Sequence, residues 1–249
     1  MATVRYHNGC SWKMIRTYLL VFPFLVLYVV VVSAVFVPFT WITKNIKPIY
    51  RMAQIGAHSA LRLAGVQLRL LRREHAFAPA TAVFVCNHVS NLDPPALFGA
   101  LPRIVVVLKE SLGRIPVLGY VMGMGGFIYV NRSDRDSRRR AMEASVASLC
   151  KGISLLVFPE GTRSPDGKLL PFRPGPFSMA IEAQVPVVPI TVHGSHRLMP
   201  KGRNWVQPGE VTLIFHEPIV TEGLTIQDRV GLMERTRFVM EKALAVTGA

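Results

Sequence analysis

From Thr17 to Thr43 the chain carries no charged side chain, and the centre of this stretch reads LLVFPFLVLYVVVVSAVFVPF. About 20 helical residues cross a hydrocarbon core roughly 30 Å thick, so the stretch is long enough to span a bilayer. The apolar core of a cleaved secretory leader is typically about 7 to 15 residues and runs into a small-residue cleavage site, which fits less well. Pro23 and Pro38 admit a third form, a helix that enters one leaflet and bends back with the segment after it. Lys13 and Arg16 flank one end and Lys44, Lys47 and Arg51 the other, so the cations do not orient the segment.

The rest of the chain is basic. Its 249 residues include 29 Lys and Arg against 15 Asp and Glu, a net charge of +14 that asks for an anionic partner. Nucleic acid and acidic lipid headgroups both qualify, and an apolar anchor in the same chain favours lipid. Arg135, Arg138, Arg139 and Arg140 open a predicted helix, either as a solvated face or as a headgroup contact. Cys10, Cys86 and Cys150 are odd in number and far apart, with neither disulfide nor metal-ligand spacing; Cys86, inside an apolar run, reads as a small buried hydrophobe.

Residues 45–73 mix apolar and basic side chains with a moderate helical period, which predicts a helix lying in the membrane interface. Beyond His75 short apolar runs at 82–86, 104–108, 127–130, 154–158, 185–192 and 211–215 predict strands buried on both faces. Helical patterns fall between them at 93–100, 115–122, 136–150 and 176–183, with another at 227–245. This alternation predicts an α/β fold with a largely parallel central sheet flanked by helices, preceded by an N-terminal membrane-embedded helical segment. The division is an anchor and interfacial helix over residues 1–74 and an α/β domain over 75–249.

NHVSNLDPP, residues 87–95, sets His88 and Asp93 five positions apart. On a continuous helix that step turns about 500° and points them to different sides, so they meet only if the segment is a turn. Asp93 followed by Pro94 has the form of a helix cap, which places His88 at the carboxyl end of a strand and Asp93 where the next helix starts. Ligands bind at that edge of open α/β sheets. A carboxylate on one imidazole nitrogen fixes the tautomer and leaves the other nitrogen free to take a proton, which makes a general base; the plainer reading is a cap and a turn filler.

Two further strands end in polar clusters. SLLVF runs into PEGTRS, so Glu160, Gly161, Thr162 and Arg163 stand at a strand end, with glycine for close backbone approach and arginine for a phosphate fork. FIYV ends in Asn131 and Arg132. If these strands are neighbours in a parallel sheet, a base, an anion clamp and a second arginine share one cleft. Other chemistries lack their signatures: no serine stands in G-x-S-x-G, and Gly161 to Gly167 is one residue too long for a P-loop, with Leu169 after Lys168. A basic membrane or nucleic-acid binding module without catalysis would explain the charge and the anchor but not three motifs at strand ends.

NHVSNLD, GGFIYVNR, VFPEGTRS and VPVVPI, in that order over residues 87–190, resemble the blocks of the glycerolipid acyltransferases of the bacterial PlsC type, which acylate lysophosphatidic acid or glycerol 3-phosphate. The resemblance implies that His88 deprotonates the acceptor hydroxyl, that Asp93 orients it, and that the alkoxide attacks acyl-CoA or acyl-carrier protein as donor substrate. It implies acceptor binding at Arg132, Glu160, Gly161, Thr162 and Arg163, with the arginines on the phosphate, and a matching stretch at Phe172, Arg173 and Gly175. VPVVPI reads as core strand. Asn131 stands where the resemblance implies aspartate. No cofactor, metal or nucleic acid is implied; the partners are a lipid acceptor, an acyl thioester and a membrane with anionic lipids. The implied location is the bacterial inner membrane, with the α/β domain on the cytoplasmic face. Acylation of glycerol 3-phosphate or another lyso-lipid is the alternative.

Overall fold

The computed structural model describes residues 9–246, with side chains from Trp12 onward; the side chain of Cys10 lies outside the described residues. Helix α1 (Gly9–Arg16) continues through a π-helical turn (Thr17–Val21) into α2 (Phe22–Thr43). Trp12–Thr43 thus forms one 32-residue helix, about 48 Å long at 1.5 Å per residue, long and apolar enough to cross a membrane. Lys44 in the left-handed conformation ends it, and α3 (Lys47–Leu63) runs back beside it.

This helical hairpin lies along the α/β part of the molecule. At one end Thr17 Oγ1 accepts the Val206 N–H at 3.0 Å and Arg16 donates to Ala64 O at 2.6 Å. Midway, Tyr28 Oη donates to Met52 O at 2.8 Å. Near the turn, Trp41 Nε1 donates to Tyr120 Oη at 2.9 Å. Both ends of the long helix therefore touch the α/β part of the molecule, while Leu27, Val31 and Val35 of α2 stay exposed.

The sequence predicted an interfacial helix to Arg73, but α3 stops at Leu63. Gly65, at φ +71°, reverses the chain, and VQLRLL forms β1 (Val66–Leu71). Its alternation of Val66, Leu68 and Leu70 with Gln67 and Arg69 is a strand period, hidden by the helical pattern before it. The sheet accordingly begins before position 75. Nor does α3 lie free in an interface, since it packs between α2 and the helix that starts at Asp93.

Along the chain follow β2 (Val83–Cys86), α4 (Asp93–Ala100), β3 (Ile104–Lys109), α5 (Glu110–Gly113), α6 (Leu118–Met124), β4 (Ile128–Val130) and α7 (Arg135–Cys150). Then come β5 (Ser154–Val157), α8 (Gly175–Glu182), β6 (Val187–His193), α9 (Ser195–Leu198), β7 (Gly209–Phe215) and α10 (Arg229–Val246). The helix predicted over 115–122 starts later and ends later, at Leu118 and Met124, because Pro116 and Val117, the latter at φ +61°, keep the chain in a turn after α5 ends at Gly113.

The seven strands are ordered β1-β7-β6-β2-β5-β3-β4, and every neighbouring pair is parallel except β6 and β7. One core, with Phe84, Leu97, Ile104 and Phe215, fills the face under α3 and α4; the other, with Leu155, Phe177 and Leu232, fills the face under α7, α8 and α10. Both faces are covered, which is why β2, β5 and β6 read as unbroken apolar runs.

Candidate active site

The chain leaves β2 through Asn87, whose side chain donates to Val192 O at 3.0 Å and accepts the Val192 N–H at 2.7 Å. This ties the exit of β2 to β6 and leaves the next residues free to turn. Within the turn His88 Nδ1 lies 2.9 Å from Asp93 Oδ2. The same oxygen accepts the N–H groups of Val89 and Ser90 at 2.8 and 2.7 Å, and Oδ1 accepts the Ser195 hydroxyl at 2.6 Å. The Asp93 side chain is 0% exposed and that of His88 17%. A buried carboxylate needs its lone pairs satisfied, and four donors do that here. An ionised carboxylate only accepts, so it holds the proton on Nδ1 and leaves the Nε2 lone pair available.

Asp93 is not the cap that the Asp-Pro pair suggested. It is the first residue of α4, and Leu92 is the cap. Pro95 has no N–H to offer, and the Ala96 N–H is taken by Leu92 O, so the carboxylate turns back toward His88.

Because β5 lies beside β2, the loop after β5 reaches the same turn. The His88 N–H donates to Glu160 Oε1 at 2.8 Å, and His88 O accepts the Ser164 N–H at 2.8 Å. The imidazole stacks on Phe158, with centroids 4.2 Å apart. Glu160 is buried, and its second oxygen accepts the Leu170 N–H at 3.0 Å. Burial pushes its carboxyl up to about 7, against the lowering effect of those two N–H groups. The sequence assigned Glu160 to acceptor binding; the structure shows its carboxylate bracing the backbone at His88 and Leu170.

The other expected binding residues lie beside it. Gly161 takes φ +70°, and its carbonyl accepts from Arg132 Nη1. A Cβ at Gly161 would come within 2.8 Å of Arg173 Nε, so the glycine lets that guanidinium approach. Partial burial and then the like charge of Arg173 lower the pKa of Arg132. Thr162 is exposed and Arg163 half-buried, with Arg163 O accepting from Lys201 Nζ at 3.2 Å. Phe172 carries Arg237 over its ring at 5.3 Å, which anchors the segment to α10, and Gly175 begins α8. Asn131 accepts from Ser133 N and Oγ, closing its own turn.

The strands carrying these groups are not all neighbours. β4 is separated from β5 by β3, and Arg132 reaches across to Gly161. The intervening β3 ends in Lys109, which with Asn131 and Arg132 lines a cavity of about 400 Å³. Glu110 in that lining pairs with Arg114 at 3.0 Å, and among the described residues neither Lys109 nor Arg132 has a carboxylate within ion-pair distance. A cation directly after IVVVL is the same signal as Arg132 after FIYV, yet sequence reasoning passed over it. Ser195 carried no sequence signal toward Asp93.

Other candidates fall outside the site. Arg139 and Arg140 pair with Asp136, Glu143 and Asp134 on an exposed helix surface, and Arg138 donates to Arg132 O. Burial, then the charges of Asp93 and Glu160, pushes the Cys86 thiol well up, so it is no nucleophile.

The model of the family described as Acyltransferase matches residues 68–193, which contain His88, Asp93, Arg132, Glu160 and Arg163. Among curated proteins the chain is 35% identical over 186 residues to a 1-acyl-sn-glycerol-3-phosphate acyltransferase of Chlamydomonas reinhardtii, covering 74% of this chain and 51% of that protein. It is 39% identical over 138 residues to a chloroplastic protein of the same name from Brassica napus, covering 55% and 40%. The human alpha form is 33% identical over 181 residues, covering 72% and 64%. The chain thus spans about half or less of the length of the first two relatives. The crystal structure of the 1-acyl-sn-glycerophosphate acyltransferase PlsC from Thermotoga maritima superposes with a TM-score of 0.75 at 26% identity, covering 94% of this chain and 97% of that one. With the family model spanning more than half of its length and that solved structure following its fold nearly end to end, the chain belongs to the Acyltransferase family.

Proposed function

We propose that the protein transfers a fatty acyl group from acyl-CoA or acyl-carrier protein to the free sn-2 hydroxyl of lysophosphatidic acid, giving phosphatidic acid. The observation that carries this reading is the 2.9 Å contact of His88 Nδ1 with the buried Asp93 carboxylate, which leaves Nε2 as the base. Nε2 removes the hydroxyl proton as the oxygen bonds to the thioester carbonyl carbon. The C–S bond then breaks, and the thiolate takes the proton back from the imidazolium. A thioester is already activated, so no acyl-enzyme is needed, and base catalysis contributes typically about 10² to 10⁴ in rate.

Arg132 and Arg163 take the acceptor phosphate, Gly161 and Thr162 form the edge of its pocket, and Lys109 adds a third cation. The names of the curated relatives and the cations at the ends of β3 and β4 support a phosphorylated acceptor. The exposed apolar side of α2 rests in the membrane, with the α/β part at the cytoplasmic face where both thioester donors are found. The test is a panel of acceptors assayed with purified, detergent-solubilised protein and both donors. Turnover with lysophosphatidic acid supports the reading, and transfer confined to an unphosphorylated acceptor overturns it.

A further inference from the structure

A second cavity, of about 460 Å³, opens at the opposite edge of the sheet from His88. His88 follows the carboxyl end of β2, whereas Arg103 in this cavity precedes the amino end of β3, and both strands run parallel to β5 between them. The cavity is lined by Lys47, Arg51, Gln54, Arg73, Phe77 and Arg103 among others, and no Asp or Glu lines it. Among the described residues none of these four cations has a carboxylate within 4.0 Å. Four like charges around one hollow repel one another unless an anion sits among them.

The cavity is ordered as well as charged. Arg73 Nε donates to Ala100 O at 3.0 Å while its guanidinium lies over Phe77, 5.1 Å from the ring centre. Gln54 Nε2 donates to Phe98 O and Leu101 O, each at 3.1 Å, which joins α3 to the end of α4 and fixes the floor. Lys47 and Arg51 stand one turn apart on α3 and line the cavity from that side.

Its position identifies the anion. The last turn of α2 exposes Trp41 by 56% and Ile42 by 82%, and Lys47 opens the next helix directly after the turn. Aromatic residues at the end of an apolar helix sit at headgroup level, and cations just beyond it meet lipid phosphates. We propose that this cavity binds the phosphate of an anionic phospholipid headgroup from the membrane that holds α2, at a site separate from the acceptor site.

The test uses the full chain in nanodiscs of phosphatidylcholine with increasing phosphatidylglycerol, a diacyl lipid with no free sn-2 hydroxyl and so neither acceptor nor product. Thermal midpoints are read for the wild type, for Arg51→Gln with Arg103→Gln, and for a control of equal charge, Arg135→Gln with Arg139→Gln on α7. All four positions are exposed, so each variant should fold. Saturable stabilisation in the wild type and control, weakened roughly tenfold or more in apparent affinity by the cavity pair, is the expected result. Equal weakening in the control, or none in the cavity pair, overturns the site. A cavity-dependent rise produced equally by millimolar inorganic phosphate makes free phosphate the ligand and overturns the lipid assignment.

Discussion

Ser195 donates its hydroxyl to Asp93 Oδ1 at 2.6 Å, the carboxylate oxygen that His88 leaves unused. The carboxylate is therefore held at both ends, by three donors from its own turn and by one from the start of α9, 102 residues away. Removing that hydroxyl leaves a buried acceptor short of a partner, at a cost of about 1–3 kcal/mol, and lets the carboxylate rotate. Ser195→Ala should lower kcat roughly tenfold with KM nearly unchanged. Asp93→Asn, which offers His88 a donor or the wrong tautomer, should cost about 10³-fold or more. Steady-state kinetics on both variants check the order, and a Ser195→Ala effect confined to KM counts against a positioning role.

In the proposed mechanism, His88→Ala removes the base. Its ring touches Phe158 but is partly exposed, so little packing is lost. Transfer should fall by about 10² to 10⁴ while the thermal midpoint stays near that of the wild type. Near-normal turnover in a folded variant would falsify the assignment of the base.

Arg132, Arg163 and Lys109 act on binding in this scheme. Replacing Arg163 or Lys109 by Ala should raise KM for a phosphorylated acceptor with a smaller change in kcat. Arg132→Ala should affect both, because its guanidinium also holds Gly161 O. An unchanged KM in all three variants moves the phosphate site elsewhere.

What could be read from the sequence divides along the range of the interactions. The turn joining His88 to Asp93 was legible because it is local, and the buried strands because parallel sheets demand unbroken apolar runs. β1 was lost because VQLRLL follows closely on an amphipathic helix, and only Ala64 and the left-handed Gly65 separate them. Glu160 looked like a ligand because its motif stands at a strand end, yet which way a carboxylate turns there depends on the N–H groups of His88 and Leu170, brought in by β2 and by a later loop. Ser195 was invisible for the same reason. Lys109 was legible and overlooked, since nothing in IVVVLK hides the cation.

Glu160 gives a stability signature. Its carboxyl has an ordinary value of 4.5, raised to about 7 by burial in the folded protein. Between those values the folded state keeps a proton that the unfolded state has lost, so the stability this group contributes is full below pH 4.5 and is lost as pH rises through about 7. In Glu160→Gln that slope disappears. The midpoint of the variant minus that of the wild type should therefore increase from pH 5 to pH 8, on top of a constant loss for one unpaired N–H. A difference independent of pH would show that Glu160 stays ionised across the range.

The helical hairpin offers a test that separates local preference from packing. Gly56 lies beneath Tyr28, and a Cβ added there would come within 2.4 Å of the Tyr28 ring, which is pinned by its bond to Met52 O. In an isolated helix Gly→Ala stabilises by about 1 kcal/mol. Overpacking typically costs about 1–3 kcal/mol, so contact with the ring should outweigh the helical preference and Gly56→Ala should destabilise the protein. Tyr28→Ala removes the ring, and in that background Gly56→Ala should become stabilising. The sign reversal, measured as a double-mutant cycle by unfolding in detergent, is the expected outcome. Destabilisation by Gly56→Ala in both backgrounds would mean that α3 is crowded by something other than α2, and that the hairpin does not close along its length as described.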